Sequence, residues 1–217
     1  MKITHSTSDI TKWFFDTLES LIQTKKIVTI GLAGGTSCDN WYAELLESDE
    51  WSAIETSHIR WCVTDERVNS DISDRNDAHI WDVFMSPLCQ KSWSQEEYFI
   101  RPTMESNGKE YSERVGEIDI AFFGMGPDGH TASLFPNHVG LQSEELWFIK
   151  IENAPKPPPE RISLSPKSIQ LLNRTCLFVV WSQKKEALAN FLDDSVSFLD
   201  CPAKLLNPEV VLDGTTN

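Results

Sequence analysis

A histidine inside a glycine-rich turn is the residue best suited to chemistry in this chain. His130 lies in the segment GMGPDGHTASLFP, residues 124–136, directly after an apolar run. Histidine is the side chain best matched to proton transfer at neutral pH, so His130 is the candidate general base. The glycines of the turn, Gly126 and Gly129, let the backbone pass close to a small substrate.

The same glycines also fit a dinucleotide-binding pattern. Gly124, Gly126 and Gly129 satisfy G-x-G-x-x-G, but a dinucleotide site needs a helix that continues for several turns after the third glycine. Pro136, seven residues beyond Gly129, stops such a helix almost at once. The segment therefore favours a small-substrate site over a nucleotide site.

A second glycine turn could bind an anion. Gly34, Gly35, Thr36 and Ser37 follow the apolar run IVTIGLA and precede a predicted helix. Backbone N–H groups and the helix dipole at such a turn favour negative charge. The turn lacks the lysine of a Walker A loop, and a purely structural turn capped by a hydroxyl explains it equally well.

Charged residues at three other places could hold a sugar phosphate. Asp65 and Arg67 follow a buried strand, where a carboxylate suits sugar hydroxyls and a guanidinium suits phosphate, although a solvated turn is the alternative. Lys184 and Lys185 follow another strand and could anchor phosphate or face solvent. Arg161 follows a proline-rich turn and could close the rim of the site.

Apolar strands alternate with helical segments along the chain. This order predicts an α/β fold with a mainly parallel sheet and helices on both faces, a Rossmann-like three-layer arrangement within one domain, residues 1–217. Ligands of such sheets bind beyond the carboxyl ends of the strands. Four strands end in GLAGGTS, VTDER, FFGMGPDGH and VVWSQKK, so we expect their ends to converge.

Composition limits the possible partners. The formal net charge is -14, which argues against nucleic acid. The five cysteines have no C-x-x-C spacing, which argues against a disulfide framework and a closed zinc site. The sequence has no apolar run of membrane-spanning length and no signal-peptide pattern, so we expect a cytoplasmic protein.

These motifs together resemble those of the 6-phosphogluconolactonases, within the superfamily of glucosamine- and galactosamine-6-phosphate isomerases. GLAGGTS, VTDERVNSDISDRN, DIAFFGMGPDGHTASLFP, PKPPPERISLSP and VVWSQKKEAL occur in that family's order and span nearly the whole chain. The related glucosamine-6-phosphate deaminases share a glycine–Asp-Gly-His turn but continue differently. TASLFP after the histidine resembles the lactonase version.

The resemblance implies a sugar-phosphate isomerase-like fold, no obligatory metal or cofactor, and hydrolysis of 6-phospho-D-glucono-1,5-lactone by a monomer or small homo-oligomer. By motif position, His130 would activate water. Arg67 and Lys185 would hold the phosphate near the Gly34–Ser37 loop. Asp65 and Asp128 would orient sugar hydroxyls or the histidine.

The sequence departs from the family pattern at Asn69, Arg75, Ser182 and Lys184, which implies a phosphate pocket of altered shape. Two alternatives to the lactonase remain at this point. One is a sugar-phosphate isomerase or deaminase on the same fold, with Asp65 as its base. The other is a protein that binds sugar phosphate without turnover.

Overall fold

The computed structural model describes residues 1–215 of the chain. It contains ten strands: β1 (Lys2–Thr4), β2 (Val28–Leu32), β3 (Ile59–Val63), β4 (Asp65–Arg67), β5 (Phe99–Ile100), β6 (Ile120–Gly124), β7 (Phe148–Ile151), β8 (Arg161–Leu164), β9 (Thr175–Val180) and β10 (Val210–Gly214). Seven of them form one parallel sheet in the order β1-β10-β9-β6-β2-β3-β5. The predicted mainly parallel sheet is confirmed.

Helices alternate with these strands. They are α1 (Thr7–Ile22), α2 (Asp39–Leu46), α3 (Asn76–Ile80), α4 (Ser86–Gln90), α5 (Gly108–Val115), α6 (Pro166–Leu171) and α7 (Lys185–Leu192). Every residue of β2 is buried, which requires cover on both faces of the sheet. Large aromatic side chains fill much of this core, among them the fully buried Trp41, Trp51 and Trp61. The tryptophans of the core thus serve packing, as aromatic side chains with a large buried area commonly do.

A second sheet was not predicted. Strands β4, β8 and β7 pair antiparallel in that order, with Arg67 opposite Arg161 and Ile151 opposite Arg161 on the other side. The sequence indicated β7 as one more strand of the alternating series, and it did not indicate β4 or β8. These strands are three and four residues long, too short to show a period-two pattern that differs from a loop.

The segment from Asn76 onward also differs from its prediction. The sequence DRNDAHIWDVFMSPL predicts one helix that stops near Pro87, but helical structure continues to Gln90. Residues Trp81–Met85 form a wide π-helical turn between α3 and α4, and Pro87 lies in the first turn of α4. A proline is tolerated there because its missing N–H needs no helical partner.

The order of the sheet brings four motif-bearing strand ends together. Strands β9, β6, β2 and β3 are consecutive neighbours and all run in the same direction. Their carboxyl ends therefore meet at one edge, as the sequence predicted. Among residues 1–215, no helix is long and apolar enough to cross a membrane.

Candidate functional site

A narrow polar cleft lies at this edge of the sheet. It has a volume of about 70 Å³. The residues that line it come from all the motifs except that of β9: Ala33, Gly34, Thr64, Asp65, Arg67, Asn76, Gly124 and Ala132. The turn that follows β2 contacts β6 here: the side chain of Ser37 lies beside Gly124, the last residue of β6.

The turn that carries His130 is closed by its own backbone. The Gly126 N–H donates to the His130 carbonyl at 2.9 Å, and the Gly129 N–H donates to the Gly126 carbonyl at 3.0 Å. Gly129 has a φ of 80°, which favours glycine. The imidazole lies against Gly126 so closely that a Cβ there would be 2.1 Å from two ring atoms. The glycines thus set the position of the ring.

His130 and Asp128 form a hydrogen-bonded pair. Nδ1 of His130 contacts Oδ1 of Asp128, and because a carboxylate only accepts, Nδ1 carries the proton. Burial alone would raise the pKa of the Asp128 carboxyl, but hydrogen bonds from His130 and Lys156 lower that pKa below its ordinary value. Asp128 is therefore ionised, and it fixes the tautomer in which Nε2 of the neutral ring is the basic nitrogen.

The basic nitrogen is left available. Within residues 1–215, no hydrogen bond uses Nε2 of His130, and about a fifth of the side chain is exposed. The ring rests on the buried Phe135, with 4.8 Å between the ring centroids. Nε2 can therefore take a proton from a water molecule on the exposed side of the ring.

Lys156 contacts both members of the His130–Asp128 pair. It was not among the predicted site residues. Its Nζ lies 2.8 Å from Oδ2 of Asp128 and 3.2 Å from Nδ1 of His130. It comes from the proline-rich turn, where the sequence offered no signal except the lysine itself. The turn is held by Arg161, whose guanidinium donates to the carbonyls of Lys156, Pro157 and Pro158 at 3.1 Å each.

Arg161 is consequently not at the rim. It is 4 % exposed, and its Nη1 also donates to Ser133 Oγ at 3.4 Å. With its hydrogen-bonding groups directed at this loop and at Ser133, Arg161 supports Lys156 and is not free to bind a substrate. Nothing in the sequence distinguished a buried arginine at this position from an exposed one.

Both carboxylate oxygens of Asp65 accept hydrogen bonds from other side chains of the protein. Oδ2 accepts from Ser133 Oγ at 2.6 Å, and Oδ1 accepts from the amide of Asn76 at 3.2 Å. The neighbouring Glu66 accepts the backbone N–H groups of Asn76 and Asp77 at 2.7 Å and so caps the short helix α3. Asp65 therefore lines the cleft with both carboxylate oxygens already bonded.

Arg67 faces the cleft with unused hydrogen-bonding capacity. Its Nη1 donates to the Asp74 carbonyl, but its buried Nε has no partner within residues 1–215. A buried, unpartnered guanidinium N–H is costly unless a ligand accepts from it. Arg67 is thus a candidate contact for an anionic group.

The lysine that contacts the Gly34–Ser37 turn, beside the cleft, is Lys184 and not Lys185. Lys184 is 5 % exposed, and its Nζ donates to Ser37 Oγ at 3.1 Å, whereas Lys185 is exposed on α7. No carboxylate within residues 1–215 pairs with Lys184. Burial, assisted by the positive charge of Lys156, lowers the pKa of Lys184 to about 8. A buried ammonium that has only a hydroxyl partner is suited to an anionic ligand.

The Gly34–Ser37 turn meets this lysine. Gly35 has a φ of 77°, and a Cβ on Gly34 would lie 2.0 Å from the side chain of Asn76, so both positions require glycine. Ser37 turns its hydroxyl to Lys184, while Thr36 is exposed. The predicted anion cradle therefore has a cation beside it.

The departures from the family pattern lie around this site. Asn69 donates to Glu160 at 2.7 Å on the surface. Arg75 is buried and pairs with Asp77 at 2.9 Å. Ser182 is exposed in the turn before α7. The last of them, Lys184, is the cation of the site itself.

A substitution tests the fit of the ring against the turn. We expect Gly126→Ala to destabilise the fold by about 1–3 kcal/mol, because the new methyl group overlaps the imidazole. Gly124→Ala is the control, since a Cβ there would make only ordinary contact at 3.7 Å. Urea unfolding measures both, and equal losses in the two variants would contradict the close packing of His130 on Gly126.

Comparison with known proteins places this arrangement among related chains. Residues 4–213 match the family described as glucosamine-6-phosphate isomerases/6-phosphogluconolactonase. A 6-phosphogluconolactonase of Borreliella burgdorferi is 31% identical over 208 residues, which cover 89% of this chain and 85% of that protein.

Two solved structures share the fold. A 6-phosphogluconolactonase of Thermotoga maritima superimposes with a TM-score of 0.78 and 19% identity, and the alignment covers 97% of this chain and 96% of that one. A monomeric glucosamine-6-phosphate deaminase superimposes with a TM-score of 0.77 and 18% identity, over 100% and 99% of the two chains. The fold alone therefore does not separate a lactonase from a deaminase.

Proposed function

This chain belongs to the family of glucosamine-6-phosphate isomerases and 6-phosphogluconolactonases, and on that premise we propose that it hydrolyses 6-phospho-D-glucono-1,5-lactone to 6-phospho-D-gluconate, in the oxidative branch of the pentose phosphate pathway. The observation that carries the proposal is a pairing of two features at one sheet edge. Among the residues that the structure describes, Nε2 of His130 has no hydrogen-bond partner and the buried ammonium of Lys184 has no carboxylate partner. The basic nitrogen can activate water for attack on the ester-like carbonyl, and the ammonium can bind the phosphate.

In the proposed mechanism, His130 takes a proton from water as the water attacks C1 of the lactone. Asp128 stabilises the imidazolium that forms. The bond between C1 and the ring oxygen then breaks, and that oxygen leaves as the C5 hydroxyl after the imidazolium returns the proton. No covalent nucleophile is needed, because a lactone is already an activated ester.

Negative charge that develops on the carbonyl oxygen needs a stabilising group. The sequence suggested either the glycine-turn N–H groups or a nearby cation. The N–H groups of Gly126 and Gly129 are already bonded within the turn. We therefore assign this role to the ammonium of Lys156, which lies beside the catalytic pair.

The phosphate would lie between Arg67, Lys184 and the Gly34–Ser37 turn. The contact between Ser37 and Gly124 connects this pocket to β6, the strand that leads into the His130 turn. The positive charge of Lys156 acts on Lys184 and on Asp128, so it reaches both ends of the site. Lys185, whose side chain is exposed, has no part in this assignment.

The deaminase alternative needs Asp65 as a base beside the sugar carbon. Asp65 is 7 % exposed and accepts hydrogen bonds at both oxygens, so it is poorly placed to take a proton. The alternative of binding without turnover does not explain why, among the described residues, Nε2 of His130 has no hydrogen-bond partner.

One pair of assays tests the activity. The purified protein is expected to accelerate the disappearance of 6-phosphogluconolactone well above the spontaneous rate and to release no ammonia from glucosamine 6-phosphate. Ammonia release without lactone opening would instead support the deaminase, and binding of 6-phosphogluconate without either reaction would support a non-catalytic protein.

The affinity for the product should depend on pH through Lys184. The charged form binds phosphate, and its proton is lost as the pH rises through about 8, so affinity falls on the alkaline side. We expect the dissociation constant of 6-phosphogluconate to rise roughly fivefold between pH 8 and 9 and to be nearly flat between pH 7 and 7.5. Calorimetry measures this, and the Lys185→Met variant should keep the same profile.

The remaining assignments are part of the same proposal. Five cysteines without disulfides fit a reducing compartment, so we propose a cytoplasmic location. One continuous hydrophobic cluster supports a single domain over residues 1–217, acting on a small sugar phosphate and not on nucleic acid or a membrane, as a monomer or a small homo-oligomer.

A further inference from the structure

Trp181 has an unusual backbone conformation for a large residue. It follows directly after β9 and has a φ of 77°, in the left-handed region that disfavours bulky side chains. Its N–H donates to the Gly214 carbonyl at 3.3 Å, and its carbonyl accepts from the Lys184 N–H at 3.0 Å. Glycine would adopt this conformation without steric cost.

Packing into the core does not account for the tryptophan. Its side chain is 42 % exposed. Trp147 has a similar conformation, with a φ of 65°, but its ring packs against the hydrophobic core. Trp181 is instead one of the exposed large apolar side chains of the described residues. A strained residue that gains little from burial often serves a local site.

The indole lies on the cation of the candidate phosphate pocket. The Nζ of Lys184 is 4.5 Å from the ring centroid of Trp181, and the same Nζ donates to Ser37. A phosphate bound to this ammonium would therefore lie close to the indole. The methylene carbon that carries the phosphate would come next to the ring.

Resting on the proposed function, we propose that Trp181 is a specificity-determining residue that forms the outer wall of the phosphate pocket. Its indole shields the Lys184–phosphate pair from water and packs against the C–H groups beside the phosphoester. The ligand class favoured by this wall is a phosphomonoester on a polyol chain, in preference to inorganic phosphate. Shielding strengthens the ion pair because charges interact more strongly when water is excluded.

The test compares Trp181→Gly with Trp181→Phe by calorimetry. We expect Trp181→Gly to weaken 6-phosphogluconate binding by about tenfold. Binding of inorganic phosphate should weaken less, because it loses the shielding from water but has no C–H groups that contact the indole. Trp181→Phe should retain most of the wild-type affinity because it keeps an aromatic wall. The thermal midpoint of Trp181→Gly should be equal to or above that of the wild type, because glycine relieves the backbone strain.

A pH profile separates the wall from a merely structural role. Without the indole, Lys184 becomes more hydrated, so the loss of product affinity should move to higher pH in Trp181→Gly. An unchanged affinity and an unchanged profile in a folded Trp181→Gly would overturn the proposal. Because binding is measured without turnover, a protein that fails to open the lactone but still loses sugar-phosphate affinity in this variant would refute the proposed function and keep the wall.

Discussion

Replacement of His130 by alanine is expected to lower kcat/KM for lactone opening by about 10²–10⁴-fold, the usual contribution of a general base. The structure gives the physical reason. Nδ1 is bonded to the ionised Asp128, so Nε2 is the one nitrogen of this ring that can accept a proton from water. Alanine removes that acceptor and leaves the phosphate pocket untouched, so affinity for 6-phosphogluconate should change little.

The measurement must separate the enzyme from spontaneous hydrolysis. Initial rates of 6-phosphogluconate formation are compared with a protein-free background at the same pH. His5→Ala is a matched control, because His5 lies by the edge strand β1 and contacts the Asp213 carbonyl instead of the cleft. If His130→Ala opens the lactone at nearly the rate of the wild type and His5→Ala, His130 is not the base.

The convergence of the site could be predicted because it follows from strand order and direction. Buried runs such as IVTIGL and IDIAFF stand out in the sequence, and parallel strands place their carboxyl ends at one edge. The glycine requirements at Gly34 and Gly126 were also visible, since each glycine sits in a turn that ends a strand. These features depend on short stretches of chain and on general rules of sheet geometry.

The identity of the phosphate lysine could not be predicted in the same way. Lys184 and Lys185 are adjacent, and which of them faces the cleft depends on the phase of the 3₁₀ turn Ser182–Lys184 that precedes α7. Neighbouring helical residues point about 100° apart, so an error of one residue exchanges a buried cation for an exposed one. The family pattern indicated Lys185, whereas in the structure Lys184 contacts Ser37.

The contacts of Lys156 and Arg161 could not be predicted from the sequence for a different reason. Both are charged residues in or near a proline-rich turn, and composition alone suggests a solvated loop. The turn lies over His130 and Asp128 because the antiparallel sheet β4-β8-β7 brings Arg161 beneath it. Since that sheet was not predicted, the contact of Lys156 with Asp128 was not predictable either.

The overall charge and the site have opposite signs. The chain carries a formal net charge of -14, while the candidate site contains three cations. Arg67 lines the cleft, Lys184 binds Ser37 beside it, and Lys156 contacts His130 and Asp128. Charges on the rest of the surface are screened by salt within about 10 Å. We therefore expect phosphate binding to depend on short contacts to Arg67 and Lys184, and removal of either cation should lower the affinity strongly.

Replacing Lys184 by methionine is expected to raise the dissociation constant of 6-phosphogluconate by about 100-fold, through loss of a buried, charge-assisted contact. Methionine nearly preserves the length of the side chain, so the pocket keeps its shape. The fold should be as stable as the wild type or more so, because no carboxylate in the described part of the chain pairs with the buried ammonium. Calorimetry measures the affinity and thermal unfolding measures the stability.

Lys185→Met is the matched control for this prediction. The two residues are adjacent and of the same type, and they differ in exposure and in the contact with Ser37. Each substitution removes one positive charge at the N-terminal end of α7. The substitution that weakens binding therefore shows which of the two lysines contacts the phosphate. Loss of affinity in Lys185→Met with wild-type affinity in Lys184→Met would place the phosphate on the exposed side of α7, away from the cleft that contains Arg67.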